Sequence, residues 1–324
     1  MLKLSEIYKP VKGDLKAVTE QFELLAEGKR ESFPELHQML KHTLGGGKVI
    51  RPALTLLCCR CFRYEPARVL PMATASELLH IATLVHDDAI DKADTRRGKP
   101  TVNSLWGTDK AILLGDYLFA RAGEFAAATE NIRVVKLFSR TLQIISSGEL
   151  SQSFDAFSYD QTFDQYKDRI AAKTAALIVM ATESGAILGG ASAEEIQVMN
   201  DYGYNLGVAF QIVDDILDFV GDEKEMGKPV GSDLAQGTLT LPALLLIGRR
   251  PQDNPIPRLF AGEDKEKNVE LAVEMVRRSS IIDDCYRTAR EYIDKACSRL
   301  ENLPQSPFRQ SLLAVAAYII KRKN

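Results

Sequence analysis

Two short segments, Asp87-Asp88-Ala89-Ile90-Asp91 and Asp214-Asp215-Ile216-Leu217-Asp218, each set carboxylates four residues apart. The stretches leading into them, Leu78 to Val85 and Leu206 to Val213, are apolar with helical period, so the acids extend a buried helix face instead of a solvated loop. On a helix, Asp87 and Asp91 then share a face, as do Asp214 and Asp218. Like charges held this close call for a cation. Mg²⁺ takes oxygen ligands and keeps waters and substrate phosphates in its shell, so a pair of such clusters suits a metal-bound diphosphate. A single cluster reads equally well as a charged helix end in solvent; the same costly arrangement on two apolar stems favours a site.

Fixed positive charge stands at three further places. Gly45-Gly46-Gly47-Lys48-Val49-Ile50-Arg51-Pro52 puts a glycine run ahead of a helix start, where backbone amides attract anions and Lys48 and Arg51 converge on one phosphate. Glycine runs also make ordinary turns. Thr95-Arg96-Arg97-Gly98-Lys99-Pro100 follows the first acidic cluster at its helix end, as a phosphate contact or as a solvated basic turn. Lys173-Thr174 interrupts the apolar run Ile170 to Met180, where a lysine either snorkels or meets an anion.

Taken together and in order, these motifs resemble the trans-isoprenyl diphosphate synthases, the polyprenyl synthetase family, from the glycine run to Pro242. His86 to Asp91 with Arg96-Arg97-Gly98 is similar to the family's first aspartate-rich motif, and Gln211 to Asp218 to its second. Gly227 to Leu234 is similar to the segment behind that motif, and Gly46-Gly47-Lys48 with Arg51-Pro52 to the homoallylic site. The resemblance implies that Asp87, Asp91 and Asp214 bind Mg²⁺, three ions per site, around an allylic diphosphate, supported by Asp88, Asp215 and Asp218. It implies that Arg96, Lys173 with Thr174, and Lys228 contact that diphosphate while Gln211 orients it. Lys48, Arg51, His80 and Arg97 then hold isopentenyl diphosphate, and Gln152 and Asp155 line the reaction cavity. Many relatives carry lysine where Thr238 stands, so Thr238 stays outside the site.

The implied reaction extends an allylic diphosphate by one isopentenyl unit, in trans, on a homodimeric enzyme. In this family, short-product synthases place bulky aromatic residues five and four positions before the first aspartate; here those positions are Ala82 and Thr83, with Ala75 and Ser76 further back. One helical turn rises ~5.4 Å, near the reach of one prenyl unit, so small residues leave room for a product of about thirty to fifty carbons, suited to a quinone side chain. A geranylgeranyl or farnesyl product is the alternative. Two other readings are weaker. A class I terpene cyclase would lack the Gly46 to Arg51 segment, and a non-catalytic partner subunit would have eroded acidic motifs.

The elements that must position these residues are helices. Segments near 12–27, 31–42, 50–62, 69–92, 108–128, 131–157, 163–189, 194–220, 239–248, 266–277, 280–302 and 306–321 carry helical periodicity, and no strand-like alternation of useful length stands beside them. We therefore expect an all-α fold, the isoprenoid-synthase helical bundle around a central cavity, spanning 1–324 as one domain with no linker or repeat. That the acidic helix ends face one another follows from the chemistry and the resemblance, since spacing alone cannot orient helices.

A net charge of −3 over 324 residues gives no electrostatic footprint for nucleic acid or an anionic membrane, which leaves at most peripheral membrane contact for product release. The basic end Lys321-Arg322-Lys323 is expected to fray into solvent. Of five cysteines, three form Cys58-Cys59-Arg60-Cys61; zinc would need a second ligand pair, so buried free thiols in a reducing cytoplasm are expected. Met1 to Tyr8 has no signal-peptide core, and no apolar run approaches the ~20 residues of a membrane span, so a soluble cytoplasmic protein is expected.

Overall fold

The computed structural model describes residues 3–96, 98–222 and 229–322. Arg97 and Lys228, both expected at diphosphates, lie outside the described residues. Helices dominate from the start: α1 (Leu4–Ile7), α2 (Lys12–Glu27), α3 (Pro34–Leu44), α4 (Ile50–Arg60) and α5 (Pro66–Ile90). A minimal hairpin follows, β1 (Thr95–Arg96) paired antiparallel with β2 (Lys99–Pro100). Then come α6 (Val102–Trp106), α7 (Thr108–Ala127), α8 (Ile132–Asp155), α9 (Phe163–Ile170), a π-helical turn (Ala171–Ala175), α10 (Ala176–Leu188) and α11 (Ala193–Val220). The chain ends in α12 (Ser232–Ala235), α13 (Leu241–Arg249), α14 (Ile256–Phe260), α15 (Lys265–Arg277), α16 (Ile281–Arg299) and α17 (Pro307–Lys321). The all-α expectation holds.

These elements form two compact units, each woven from three stretches of chain: 1–141, 177–203 and 299–315 in the first, 142–176, 204–298 and 316–324 in the second. In the first unit α5 is the central helix, packed along α4 and α7, with Met72, Leu78 and Leu79 fully buried against a core that includes Leu54, Leu56 and Leu57. Pro66 starts it, since a first-turn residue has no intrahelical N–H bond to lose. A Schellman-type cap ends it: Lys92 takes the left-handed conformation (φ 52°) and the Ala93 amide donates to the Asp88 carbonyl at 3.0 Å. The helix thus stops on its aspartate motif.

In the second unit the expected helix 163–189 is interrupted. Thr162 and Gln165 form a capping box at the start of α9, but at Ala171–Ala175 the backbone widens into a π turn. Neighbouring helices clasp that turn closely. A Cβ at Gly148 of α8 would lie 2.7 Å from the Ala172 methyl, and one at Gly207 of α11 only 2.5 Å from the Ala175 Cα. Glycine faces alanine on both sides, so nothing larger fits.

Three further expectations change. Thr95 to Pro100, read as a basic turn at a helix end, is a hairpin with Gly98 at φ 73°; two residues per strand are too few to show alternation. The short helices α1, α6, α12 and α14 passed unnoticed because they are about one turn long. Finally, Pro66–Ile90 and Phe163–Leu188 are long and apolar enough, by length and composition, to cross a membrane. Both are mostly buried inside the fold, which accounts for their apolar character as packing.

The clasp yields a prediction. Gly207→Ala forces a methyl into backbone and should lower the unfolding free energy by about 1–3 kcal/mol. Gly13→Ala, in α2 with nothing within 4 Å of the new methyl, should instead raise it by about 0.5–1 kcal/mol. Urea denaturation of both variants checks this; equal effects would contradict the close approach.

Candidate active site

In the first unit, α5 carries His80, Thr83, Asp87 and Asp91 at intervals of three and four, along one face. Asp91 is the C-cap residue with right-handed helical geometry (φ −77°, ψ −6°), so it stays in register with Asp87 and is exposed, while Asp87 is half-buried. Thr83 donates its hydroxyl to the His80 carbonyl at 2.7 Å, and His80 is half-buried. Asp88 points elsewhere. It is buried and accepts the Arg96 Nε–H at 2.8 and 3.0 Å on its two oxygens. Burial pushes the Asp88 carboxyl up in pKa and the Arg96 guanidinium opposes that shift. The hairpin therefore returns Arg96 to Asp88, which in this structure makes Arg96 the counter-ion of a supporting aspartate.

The glycine run sits in the same unit. Gly46 and Gly47 have φ of 101° and 105°, and Val49 is left-handed (φ 43°) at the N-cap of α4. Lys48 is exposed with its carbonyl accepting from the Tyr8 hydroxyl at 3.2 Å, while Arg51 in the first turn of α4 is buried. A Cβ at Gly47 would stand 3.7 Å from Glu77 Oε1, so a buried acid of α5 lies under the glycine turn. Sequence reasoning missed Glu77; a carboxylate inside the apolar run Ala73 to Ile81 was the available signal.

In the second unit, the π turn presents Lys173 and Thr174 to different neighbours. Lys173 Nζ pairs with Glu149 of α8 at 2.9 and 3.1 Å from its two oxygens. Thr174 donates to Gln211 Oε1 at 2.5 Å, Gln211 Nε2 donates to Asp215 Oδ1 at 2.8 Å, and Tyr166 donates to Asp215 Oδ2 at 2.6 Å. This chain of hydrogen bonds fixes α11 to α9 and the π turn. Burial raises the Asp215 carboxyl to a pKa of about 7, reinforced by the charge of Asp233; the Tyr166 and Gln211 hydrogen bonds and Arg169 pull the other way. Glu149 and Tyr166 were not foreseen. Glu149 lies three residues before the expected Gln152, whereas a lone tyrosine carries no signal.

Asp218 is also buried, accepting from the Ser232 hydroxyl at 2.8 Å and the Asp233 amide at 3.3 Å, and its backbone carbonyl accepts from Gly231 N–H at 2.7 Å. It anchors the start of α12. Asp214 is half-buried and pairs with Arg322, whose guanidinium carbon lies 4.2 Å from the Phe210 ring centre. The expected fraying of the C-terminal residues is therefore wrong for Arg322, whose side chain is 9 % exposed. An aromatic face and a carboxylate one helical turn apart hold it.

Asp155 is exposed and, with Ser147, Ser151 and Arg169, lines a groove of about 560 Å³ on the α8 face turned away from Glu149. Gln152, three residues from Glu149, shares its face. Ala82, Ala75 and Ser76 are fully buried in α5. The five cysteines are free; burial pushes the Cys59 thiol up to about 12, which makes it inert.

The oxygen donors suit a hard cation, and Asp214 already holds a positive charge in the Arg322 guanidinium, so the residues fit Mg²⁺. Among the described residues no three His, Cys, Asp or Glu side chains group closely enough to bind a metal unaided. Diphosphate oxygens and waters are the ligands that complete such a shell.

The raised Asp215 pKa sets a sign. The folded protein keeps a proton that the unfolded chain, at its ordinary carboxylate value, releases between about pH 4 and 7, so this residue makes stability fall as pH rises across that window. Asp215→Asn should flatten that descent in metal-free protein. Urea denaturation at pH 5 and pH 8 measures it, and an unchanged pH slope would refute the buried, protonated carboxyl.

With this geometry in hand, comparison with known proteins is direct. The polyprenyl synthetase family model matches residues 33–276. The chain is 38 % identical over 325 residues to heptaprenyl diphosphate synthase component 2 of Geobacillus stearothermophilus, covering 99 % of each. It is 40 % identical over 286 residues to solanesyl-diphosphate synthase 2 of rice, Oryza sativa, covering 86 % of this chain and 70 % of that one. It is 38 % identical over 286 residues to a short chain isoprenyl diphosphate synthase of Methanothermobacter thermautotrophicus, covering 86 % and 87 %. Among solved structures, a polyprenyl synthase from Caulobacter crescentus complexed with calcium and isoprenyl diphosphate superposes with a TM-score of 0.92 at 30 % identity, covering 99 % and 98 %. Matching the family model over residues 33–276 and aligned with these proteins over most of its length, the chain belongs to the polyprenyl synthetase family and is a prenyltransferase.

Proposed function

We propose that this enzyme condenses isopentenyl diphosphate with allylic diphosphates into an all-trans polyprenyl diphosphate of about thirty to fifty carbons, used as a quinone side chain. The names of the relatives span both long and short products, so the observation that carries the length is on α5, where Ala82, Ala75 and Ser76 are small and fully buried. A product of twenty carbons or fewer is the second reading, favoured by the short-chain relative.

Asp87, Asp91 and Asp214 are the residues to hold Mg²⁺, three ions per site, which when bound neutralises the allylic diphosphate and stabilises it as a leaving group. Lys173 adds fixed charge from the π turn, its Nζ directed by Glu149. Gln211 keeps α11 in register through Thr174 and Asp215. Lys48 and Arg51, set at the mouth of α4 by the left-handed glycine turn, together with His80 and Arg97, hold isopentenyl diphosphate. Its double bond attacks C1 of the allylic chain as the C1–O bond breaks, and the departing diphosphate takes the proton lost from the new cation. Apolar α5 residues keep water from the cation, which water would convert to an alcohol. The chain contributes position and charge, with no covalent enzyme intermediate.

The enzyme works as a homodimer in this reading. On α7 and the start of α8, Ile112, Leu113 and Ile132 are exposed, and further along α8 so are Leu150 and Phe154, the last 88 % exposed. Apolar groups in such numbers favour a protein partner. The Geobacillus relative is named as a component of its enzyme, so a second, different subunit is the competing assembly. Purified chain that sediments as a dimer and turns over alone supports the first; a monomer without activity supports the second. The buried free thiols suit a reducing compartment such as the cytoplasm.

Two substitutions test the reaction and the length. Asp87→Ala or Asp214→Ala should lower turnover by about three orders of magnitude while circular dichroism shows the fold intact. Near-normal turnover at saturating Mg²⁺ in either would sink the ligand assignment. Ala82→Phe should shift the product towards fifteen or twenty carbons with the diphosphate sites still working. An unchanged product distribution in a folded variant would refute the tunnel along α5 and leave Ala82 as a packing residue.

A further inference from the structure

The last described residue of the chain stands on the carboxylate that the proposed reaction assigns to metal. Arg322 follows directly on α17, its side chain is 9 % exposed, and it pairs with Asp214. Phe210, one turn earlier on α11, lies under the guanidinium at 4.2 Å. Arginine cannot lose its charge in the usual pH range, and a guanidinium stacked on an aromatic ring beside a carboxylate is a stable cation seat. The neighbouring acids have other arrangements: Asp215 accepts from Tyr166 and Gln211, and Asp218 from Ser232 and the Asp233 amide. Asp214 meets a full positive charge from the far end of the sequence.

We propose that Arg322 is the resident counter-ion of Asp214, holding the carboxylate in place in the metal-free enzyme and exchanging with the metal cation when a diphosphate binds. The inference rests on Asp214 being a metal ligand. It deepens that reading by making Arg322 a competitor for the metal seat. A guanidinium and a hard cation both seek the carboxylate oxygens, and a strongly bound metal must displace the arginine or share the group at a loss. The pair lowers apparent metal affinity by the fraction of time Arg322 occupies Asp214. Release of Arg322 then accompanies loading, so the end of α17 loosens when the site fills. Arg322 is a positioning residue in this scheme and takes no part in bond making.

The test is binding of Mn²⁺ to the full chain with inorganic diphosphate, followed by titration calorimetry, in wild type, Arg322→Gln, Lys321→Gln and Asp214→Asn. The inference predicts that Arg322→Gln tightens Mn²⁺ about threefold or more, that Lys321→Gln, an exposed neighbour of equal charge, does not, and that Asp214→Asn weakens it. It also predicts that amide exchange at residues 316–322 of the wild type quickens on adding Mn²⁺ with diphosphate. If Asp214→Asn binds Mn²⁺ as wild type does, the ligand assignment fails and the inference with it. If Asp214→Asn weakens binding but Arg322→Gln leaves it unchanged or weaker, the assignment stands and the counter-ion exchange is overturned. Equal tightening in Lys321→Gln and Arg322→Gln would overturn it too, as a general charge effect.

Discussion

Carboxylates crowded on apolar helices repel one another and lose hydration, and each must be met by a donor or a cation. Much of the local structure answers that constraint. Asp88 takes the Arg96 guanidinium, Asp215 takes Tyr166 and Gln211, Asp218 caps α12 through Ser232 and the Asp233 amide, and Asp214 takes Arg322. The six aspartates of the two motifs thus divide by job. Asp88, Asp215 and Asp218 are buried and hold neighbouring side chains or, at Asp218, the start of α12, which leaves Asp87, Asp91 and Asp214 as the more accessible acids suited to metal.

Backbone irregularities orient the basic residues within each unit. The π turn at Ala171–Ala175 exists where Gly148 and Gly207 allow α8 and α11 to close on Ala172 and Ala175, and it sends Lys173 towards Glu149 and Thr174 towards Gln211. A regular helix would rotate those two side chains by a different amount relative to the flanking turns. The left-handed run through Gly46, Gly47 and Val49 does the same for Lys48 and Arg51 at the mouth of α4. Irregular backbone of this kind stores strain and clusters at functional sites.

The aspartate motifs were legible in the sequence because charge on an apolar stem is rare and its four-residue spacing is a helical signature. The long helices were legible for the same periodic reason. What stayed hidden depends on tertiary contact. No local pattern marks Tyr166 as the donor to Asp215 across 49 residues, or Arg322 as the partner of Asp214 from the end of the chain. The π turn hid because the run from Ile170 to Met180 is apolar or small on nearly every side, so a phase shift of one residue leaves no visible mark in the pattern. The hairpin at Arg96 was too short for a two-residue period to show. Its consequence, Arg96 bound to Asp88, adds a contact within the first motif that the sequence pattern did not indicate.

The central claim is that the carboxylates of the two motifs, together with Mg²⁺, drive repeated isopentenyl transfer past the small residues of α5. Incubating the purified chain with labelled isopentenyl diphosphate, a range of allylic primers and Mg²⁺, then sizing the products, tests it most directly. The account predicts a series ending at about thirty to fifty carbons and no product when Mg²⁺ is chelated. Termination at twenty carbons or fewer would contradict the chain-length part, and condensation that persists without divalent metal would contradict the role of the acidic motifs.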